Sequence, residues 1–288
     1  MHKIFLFIGA IFISCNISAQ KIDKKLQAQI EATIKGFNGD IGIYVIELKK
    51  NHVVSIQADT IFSTASIVKI PILIGVMDKL VTGELQYHQR FTYTDSVYFN
   101  EGDDILSDFK SGSTIELGKL ILLMLSISDN CASLWLQGIA GGGVTINKIL
   151  DSLGFGNIRV NSRTPGREAS REQYGWGQTT PKQAALVMKA IVDGEVFNKD
   201  ASDKMLRLLS RQWWDEEGIS SVPAGIFIAD KNGALDSNRN EIMYVNGKHP
   251  YILSLFTKNN KDTSWQSDNE AWVLTRKISA IVWKHYND

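Results

Sequence analysis

Three short clusters carry residue types suited to nucleophilic chemistry. Ser66 and Lys69 stand three residues apart in FSTASIVKIPIL (62–73), where a polar run gives way to an apolar one. Ser128-Asp129-Asn130 interrupts two apolar segments, and Lys231-Asn232-Gly233 follows the apolar stretch GIFIAD. A serine hydroxyl is a weak nucleophile until a base takes its proton. A lysine one helical turn on lies on the same side as the serine. Polar residues between apolar segments are costly to bury without partners. Each pattern also has decoys: Ser18–Lys21 and Ser107–Lys110, a second Ser-Asp-Asn at 267–269, and Lys110-Ser111-Gly112. Context separates them. The decoys lie in the leader, in the polar loop EGDDILSDFKSGS or in the polar lead-in to the last helix. Ser66, Ser128 and Lys231 lie at the ends of apolar elements, where a rigid scaffold can aim a side chain into a cleft.

The elements that must position these clusters can be read from periodicity. Ile22, Leu26, Ile30 and Ile34 at spacing four, closed by Gly36, predict an amphipathic helix over 21–36. DIGIYVIEL (40–48) and 53–57, rich in β-branched residues and split by KKNH, predict a hairpin. Helices are expected from Ser66 to about Leu80, from Thr114, and over 130–138, 144–153, 181–192 and 202–214, with Gly141-Gly142-Gly143 as a loop. Thr179-Thr180 caps the helix entered at Pro181. The period then changes: 225–230, 241–245 and 251–257 read as strands, and 269–286 as a closing helix. Strands at both ends with helices between predict an α/β (α+β) fold. One antiparallel five-stranded sheet is formed by both chain ends with flanking helices, beside an all-helical lobe. The boundaries are 20–62 and 215–288 for the sheet lobe and 63–214 for the helical lobe, with the site in the cleft between them.

Bulk composition excludes several classes. With 31 Lys+Arg against 31 Asp+Glu in 288 residues, no net field favours nucleic acid or acidic lipids. The opening MHKIFLFIGAIFISCNISAQ places Lys3 before an apolar run ending in small and polar residues. That pattern is a signal peptide, too short for a membrane span, with cleavage after Ala19. A tethered anchor and a lipoprotein modified at Cys15 are the alternatives. Cleavage leaves 30 basic against 31 acidic residues and a single cysteine, Cys131, which reads as a small buried hydrophobe. No internal disulfide can then form, so the exported chain relies on its core. A monomer satisfies everything in the sequence. His52, His88, His249 and His285 show no paired ligand spacing, and no metal or other cofactor is required.

Taken in order, the three clusters resemble the class A serine β-lactamases and the wider penicillin-recognising serine hydrolases, whose signature is S-x-x-K, S-D-N and K-T-G. The resemblance extends over most of the chain, including the N-terminal hairpin, Thr179-Thr180-Pro181 and the terminal strands and helix. It implies a β-lactamase/transpeptidase-like fold and a small-molecule substrate, a β-lactam or an acyl-peptide-like compound. It assigns Ser66 as the nucleophile forming an acyl-enzyme and Lys69 as an aid to its activation. Ser128 would pass a proton to the leaving nitrogen, and Asn130 would hold the substrate amide. Lys231 would bind the substrate carboxylate and tune Ser128, while the N–H groups of Ser66 and Ala234 would form the oxyanion hole. The physics is compatible: a lysine crowded by a second cation and partly desolvated has a lowered pKa and can act as a base. A serine at a helix start offers its backbone N–H to developing negative charge.

Two departures stand out. The third motif is Lys-Asn-Gly, so the amide of Asn232 stands where the family has a hydroxyl, ahead of Gly233 and Ala234. Arg239 is a candidate guanidinium for the same carboxylate, or else a solvated turn residue. The family glutamate that activates the deacylating water is also missing from its place. Counting back from Thr-Thr-Pro in SRTPGREASREQYGWGQTTP lands near Thr164, leaving Glu168 or Glu172 as the available carboxylates. Glu168 is taken as the candidate base, against a reading of both as members of surface ion pairs. Three functions follow: a hydrolytic β-lactamase, a same-fold peptidase, esterase or penicillin-binding enzyme that deacylates poorly, and a non-catalytic binding module.

Overall fold

The computed structural model describes residues 20–99 and 104–288, so the leader and Cys15 lie outside the described residues. In chain order the elements begin with β1 (Lys21–Ile22), α1 (Lys24–Ile34), β2 (Asp40–Glu47), β3 (His52–Ile56), β4 (Phe62–Ser63) and α2 (Lys69–Val81). The middle holds β5 (Arg90–Thr92), β6 (Thr114–Glu116), α3 (Leu117–Ser126), α4 (Asn130–Ile139), α5 (Gly142–Ser152), β7 (Arg159–Val160), α6 (Glu168–Tyr174) and β8 (Gly177–Thr179). The chain closes with α7 (Pro181–Asp193), α8 (Lys199–Leu209), β9 (Ile228–Leu235), β10 (Asn238–Val245), β11 (Tyr251–Lys258) and α9 (Glu270–Asn287).

The main sheet has the order β1-β3-β2-β11-β10-β9. Its five long strands pair antiparallel, as the sequence predicts, and β11 joins the two ends of the chain by pairing with β2, Ile43 opposite Leu255. The sixth strand corrects the sequence reading. Lys21–Ile22 pairs parallel with β3 instead of opening α1, because Asp23 caps that helix by accepting Leu26 N–H at 3.0 Å.

Both faces of the sheet are covered, which is why β2, β10 and β11 are buried at nearly every position. Ile41, Ile43, Val45, Met243, Val245, Leu253 and Leu255 meet α1 and α9 on one face. Tyr44, Ile46, Ala229, Ile242, Ile252 and Phe256 face the other way, into the cluster that contains the helices α2–α4, α7 and α8. The period-two alternation therefore turns Lys231 and Gly233, in register with Ala229, toward the helical side. Asp230 and Asn232 alternate onto the α9 side.

Three further boundaries differ from the sequence reading. The strand ending in IAD continues through Lys231-Asn232-Gly233 to Leu235. The helix expected over 202–214 ends at Leu209, and residues 210–214 leave it to run toward β9. Gly142 and Gly143 open α5 instead of sitting in a loop, with Gly141 before them at φ +92°. No helix among the described residues is long and apolar enough to cross a membrane.

Candidate active site

Ser66 is set at the rim of the core by a tight turn. β4 pairs with β8, and Thr64 N–H donates to Gly177 O at 2.9 Å. The chain then reverses at Ala65, φ +46°, into a 3-10 turn over Ala65–Val68 before α2 begins at Lys69. Pro71 accounts for the tight start. It has no N–H to return to Ile67 O, and Lys69 N–H bonds the carbonyls of Ile67 and Ser66. From Lys69 to Met77 every residue of α2 is buried. The lysine is thus the first side chain of a core helix.

Its ammonium position is the centre of the site. Lys69 Nζ lies 3.1 Å from Ser66 Oγ, 2.9 Å from Ser128 Oγ, 2.5 Å from Ser128 O and 2.8 Å from Asn130 Oδ1. An ammonium has three protons for these four acceptors. A neutral amine has two protons and a lone pair, and the lone pair can accept the Ser66 hydroxyl proton. Burial holds the Lys69 pKa well below the usual lysine range, the charge of Lys231 lowers it further, and Asp104 and Asp129 oppose the shift. None of its four partners is a carboxylate, so nothing in direct contact restores the charge.

Ser128 adopts φ +64°, a left-handed conformation that costs a non-glycine residue about 1–2 kcal/mol. Hydrogen bonds on the residues after it hold the turn. Asp129 Oδ1 accepts Ala132 N–H at 2.7 Å and Oδ2 accepts Leu106 N–H at 2.9 Å, while Asp104 Oδ1 accepts Asn130 N–H at 2.6 Å. Sequence reasoning passed over both aspartates because each serves the backbone.

On the opposite wall, β9 packs against the Ser66 turn. A Cβ at Gly233 would stand 2.7 Å from Ser66 N and 2.8 Å from Thr64 O, so only glycine lets the strand approach this closely. Lys231 is fully buried, its Nζ donating to Asn232 O at 2.9 Å and Asn232 Oδ1 at 3.2 Å. Burial lowers its pKa to about 8, with Asp230 and Glu241 opposing. Those two carboxyls are themselves buried diagonally across β9 and β10, and desolvation raises Asp230 to about 7 and Glu241 well above its usual value. Burial thus pushes both carboxyls toward their neutral forms, an arrangement that the sequence alone does not signal.

Ser66, Lys69, Ser128 and Asn130 are joined directly, and Gly233 closes on the Ser66 amide with Lys231, Asn232 and Ala234 on the same strand. Two candidates are not brought in. Arg239 is buried and spends its guanidinium on the carbonyls of Leu235, Asp236, Asn238 and Ser264. It is stacked 4.5 Å from the Trp265 ring and 4.6 Å from Trp272, so it is neither a cleft residue nor a solvated turn residue. Glu168 is exposed at the first turn of α6, accepting Gly166 N–H at 3.0 Å, and backbone hydrogen bonds hold its carboxyl below the usual range. Its hydrogen bond is to that loop and not to Ser66 or Lys69. Glu172 is also exposed.

Comparisons with known proteins find likenesses over most of the chain. The model of the beta-lactamase enzyme family matches residues 25–286. Beta-lactamase VEB-1 of Pseudomonas aeruginosa is 21% identical over 299 residues, covering 99% of this chain and 98% of that protein. Beta-lactamase SME-1 of Serratia marcescens is 24% identical over 292 residues, covering 96% of each. Among solved structures, PBP-A has a TM-score of 0.81 at 22% identity, covering 92% of this chain and 97% of that one. A β-lactamase from Sphaerobacter thermophilus DSM 20745 has a TM-score of 0.79 at 24% identity, covering 90% and 96%. At these identities the structures establish the fold, and the family match across nearly the whole described chain establishes kinship: this protein is a hydrolase of the beta-lactamase enzyme family.

Proposed function

We propose that this chain is an exported serine hydrolase that opens β-lactam rings by transferring the acyl group to Ser66, with release of that acyl group as the slower half. The observation that carries the reading is the buried amine of Lys69, 3.1 Å from Ser66 Oγ and 2.9 Å from Ser128 Oγ. Neutral Lys69 takes the Ser66 proton as Oγ attacks the ring carbonyl. The Ser66 and Ala234 N–H groups receive the oxyanion. Ser128, on the same amine, hands a proton to the departing ring nitrogen. Lys231 attracts the substrate carboxylate, and Asn130 holds its amide. A mutant of PBP-A has been captured as an acyl-enzyme with penicillin G, which supports acylation on this fold.

The second half lacks an equally placed base. Thr164 is buried and bonded to Ser162 O at 2.8 Å, and Glu168 is exposed and bonded within its own loop. This observation favours slow turnover, as in a penicillin-binding enzyme, over rapid hydrolysis. Residues 1–19 are assigned as a leader that exports the chain to the periplasm or medium, where a monomer would act on antibiotic before it reaches its target. Mixing the mature protein with a chromogenic cephalosporin while following colour and intact mass tests the reading. A mass adduct on Ser66 that outlasts the colour burst is expected. Sustained turnover with no accumulated adduct would move the slow step to acylation, and no adduct or colour at all would remove the proposal.

A further inference from the structure

The Gln212-Trp213-Trp214 segment, read from the sequence as a helix end, runs between the two catalytic walls. Trp213 N–H donates to Ser126 O at 2.9 Å, at the end of α3. Trp214 Nε1–H donates to Ile127 O at 3.0 Å, and Trp214 O accepts Asn232 Nδ2–H at 3.1 Å. Gln212 Nε2 donates to Asp230 Oδ1 at 3.3 Å, and Gln212 Oε1 accepts Trp214 N–H at 3.4 Å.

We propose that Trp214 is a positioning residue that sets the gap between the Ser128 turn and the Lys231 strand. The residues it holds are Ile127, immediately before Ser128, and Asn232, immediately after Lys231. The Ile127 carbonyl and the Ser128 N–H belong to one rigid peptide plane. Fixing that carbonyl fixes the plane about which Ser128 turns to its left-handed φ of +64°. On the other wall, the Asn232 amide that Trp214 O orients also accepts Lys231 Nζ through its Oδ1 at 3.2 Å. One residue thus anchors the hydroxyl that protonates the leaving group and the cation that attracts the substrate. Core packing does not explain the choice of tryptophan, since Trp214 is 49% exposed and Trp213 70%. Only Trp214 uses its indole N–H on the turn, whereas the Trp213 bond to Ser126 is made by backbone and survives any side-chain change.

The kinetic arm of the test rests on the acyl-transfer reading above, and the exchange arm does not. Wild type, Trp214→Phe and Trp213→Phe are compared for acylation by a chromogenic cephalosporin, thermal melting and hydrogen–deuterium exchange of the peptide covering 127–131. Trp214→Phe removes one hydrogen-bond donor while keeping an aromatic ring. It is expected to lower the acylation rate about tenfold, with KM little changed. Exchange in 127–131 should rise, while Trp213→Phe stays within about twofold of wild type in both arms. Unchanged acylation and exchange in Trp214→Phe would overturn the proposal. So would equal losses in the two variants, which would point to loop stability alone. If wild type takes no adduct, the acyl-transfer reading fails, and exchange at 127–131 alone decides the role of Trp214.

Discussion

The turn around Ser66 and the loop from 161 to 178 both carry titratable side chains drawn from short motifs, yet they solve burial in opposite ways. Around Ser66 a lysine is driven into the core with hydroxyl, carbonyl and amide partners and no carboxylate, and burial holds its pKa well below the usual lysine range. In the loop, the buried polar groups satisfy one another: Gln137 with Ser162, Arg167 with Asn161 and Gln178, and Thr164 with Ser162 O. Its two glutamates are left in water. A fully satisfied polar network rigidifies a fold, whereas a buried amine lacking a counter-charge stores reactivity. The contrast supports the proposal that the first region carries the chemistry and the second serves as scaffold.

The most severe way to break this contrast is Ser66→Ala, expected to abolish the mass adduct and lower acylation by about 10⁴-fold or more. An adduct persisting in that variant would place the nucleophile elsewhere. Lys69→Ala leaves Ser66 without its base and should cost ~10³-fold in acylation, read by stopped-flow. Arg239→Ala sharpens the comparison from outside the cleft. It strands the carbonyls of Leu235, Asn238 and Ser264 and empties the space between two tryptophans, so unfolding stability should fall by about 2–4 kcal/mol with KM unchanged in the surviving folded enzyme. A raised KM with intact stability would put Arg239 back in the cleft.

The pH profile follows from the two lysines. Only the neutral form of Lys69 accepts a proton, so acylation should rise with pH through its depressed pKa. Lys231 attracts the substrate only while charged, and its charge is lost as pH rises past about 8. kcat/KM for an anionic β-lactam is therefore expected to decline above that point through KM, giving a bell. A flat alkaline limb would show that Lys231 is not the carboxylate anchor. The smallest effect should come from Glu168→Gln, with acylation and deacylation both within about twofold of wild type. A deacylation rate that collapsed in this variant would reunite the two regions.

The candidate site residues were legible because their spacing is short and their neighbours are apolar, and the sheet was legible from β-branched runs at both ends. What the sequence concealed were side chains at odds with their type. Lys231-Asn232-Gly233 has the composition of a turn, yet it continues β9 because alternation puts Lys231 and Gly233 on the face meeting α8 and the Ser66 turn. Arg239 follows the polar run Asp236-Ser237-Asn238, and two tryptophans distant in sequence bury it. Glu241 opens the run Glu241-Ile242-Met243-Tyr244-Val245, with no local hint that it would be buried beside Asp230 with its pKa raised. Gln212-Trp213-Trp214 extends the apparent period of α8, but its partners at 126–127 and 230–232 are long-range and override that local pattern.

The pairing of β2 with β11 has a consequence for how the molecule comes into being. Residues 40–47 find their partners at 251–258, so the central sheet cannot close until most of the chain has been made. Ser66 and the helix α2 that follows it, with Lys69, emerge early, but the glycine that seats against the serine amide and the second cation that depresses the lysine pKa arrive on β9. A nascent or truncated chain thus carries Ser66 and Lys69 without the strand that packs against them. The surroundings of Ser66 and Lys69 are thus completed near the end of folding, when β9 docks.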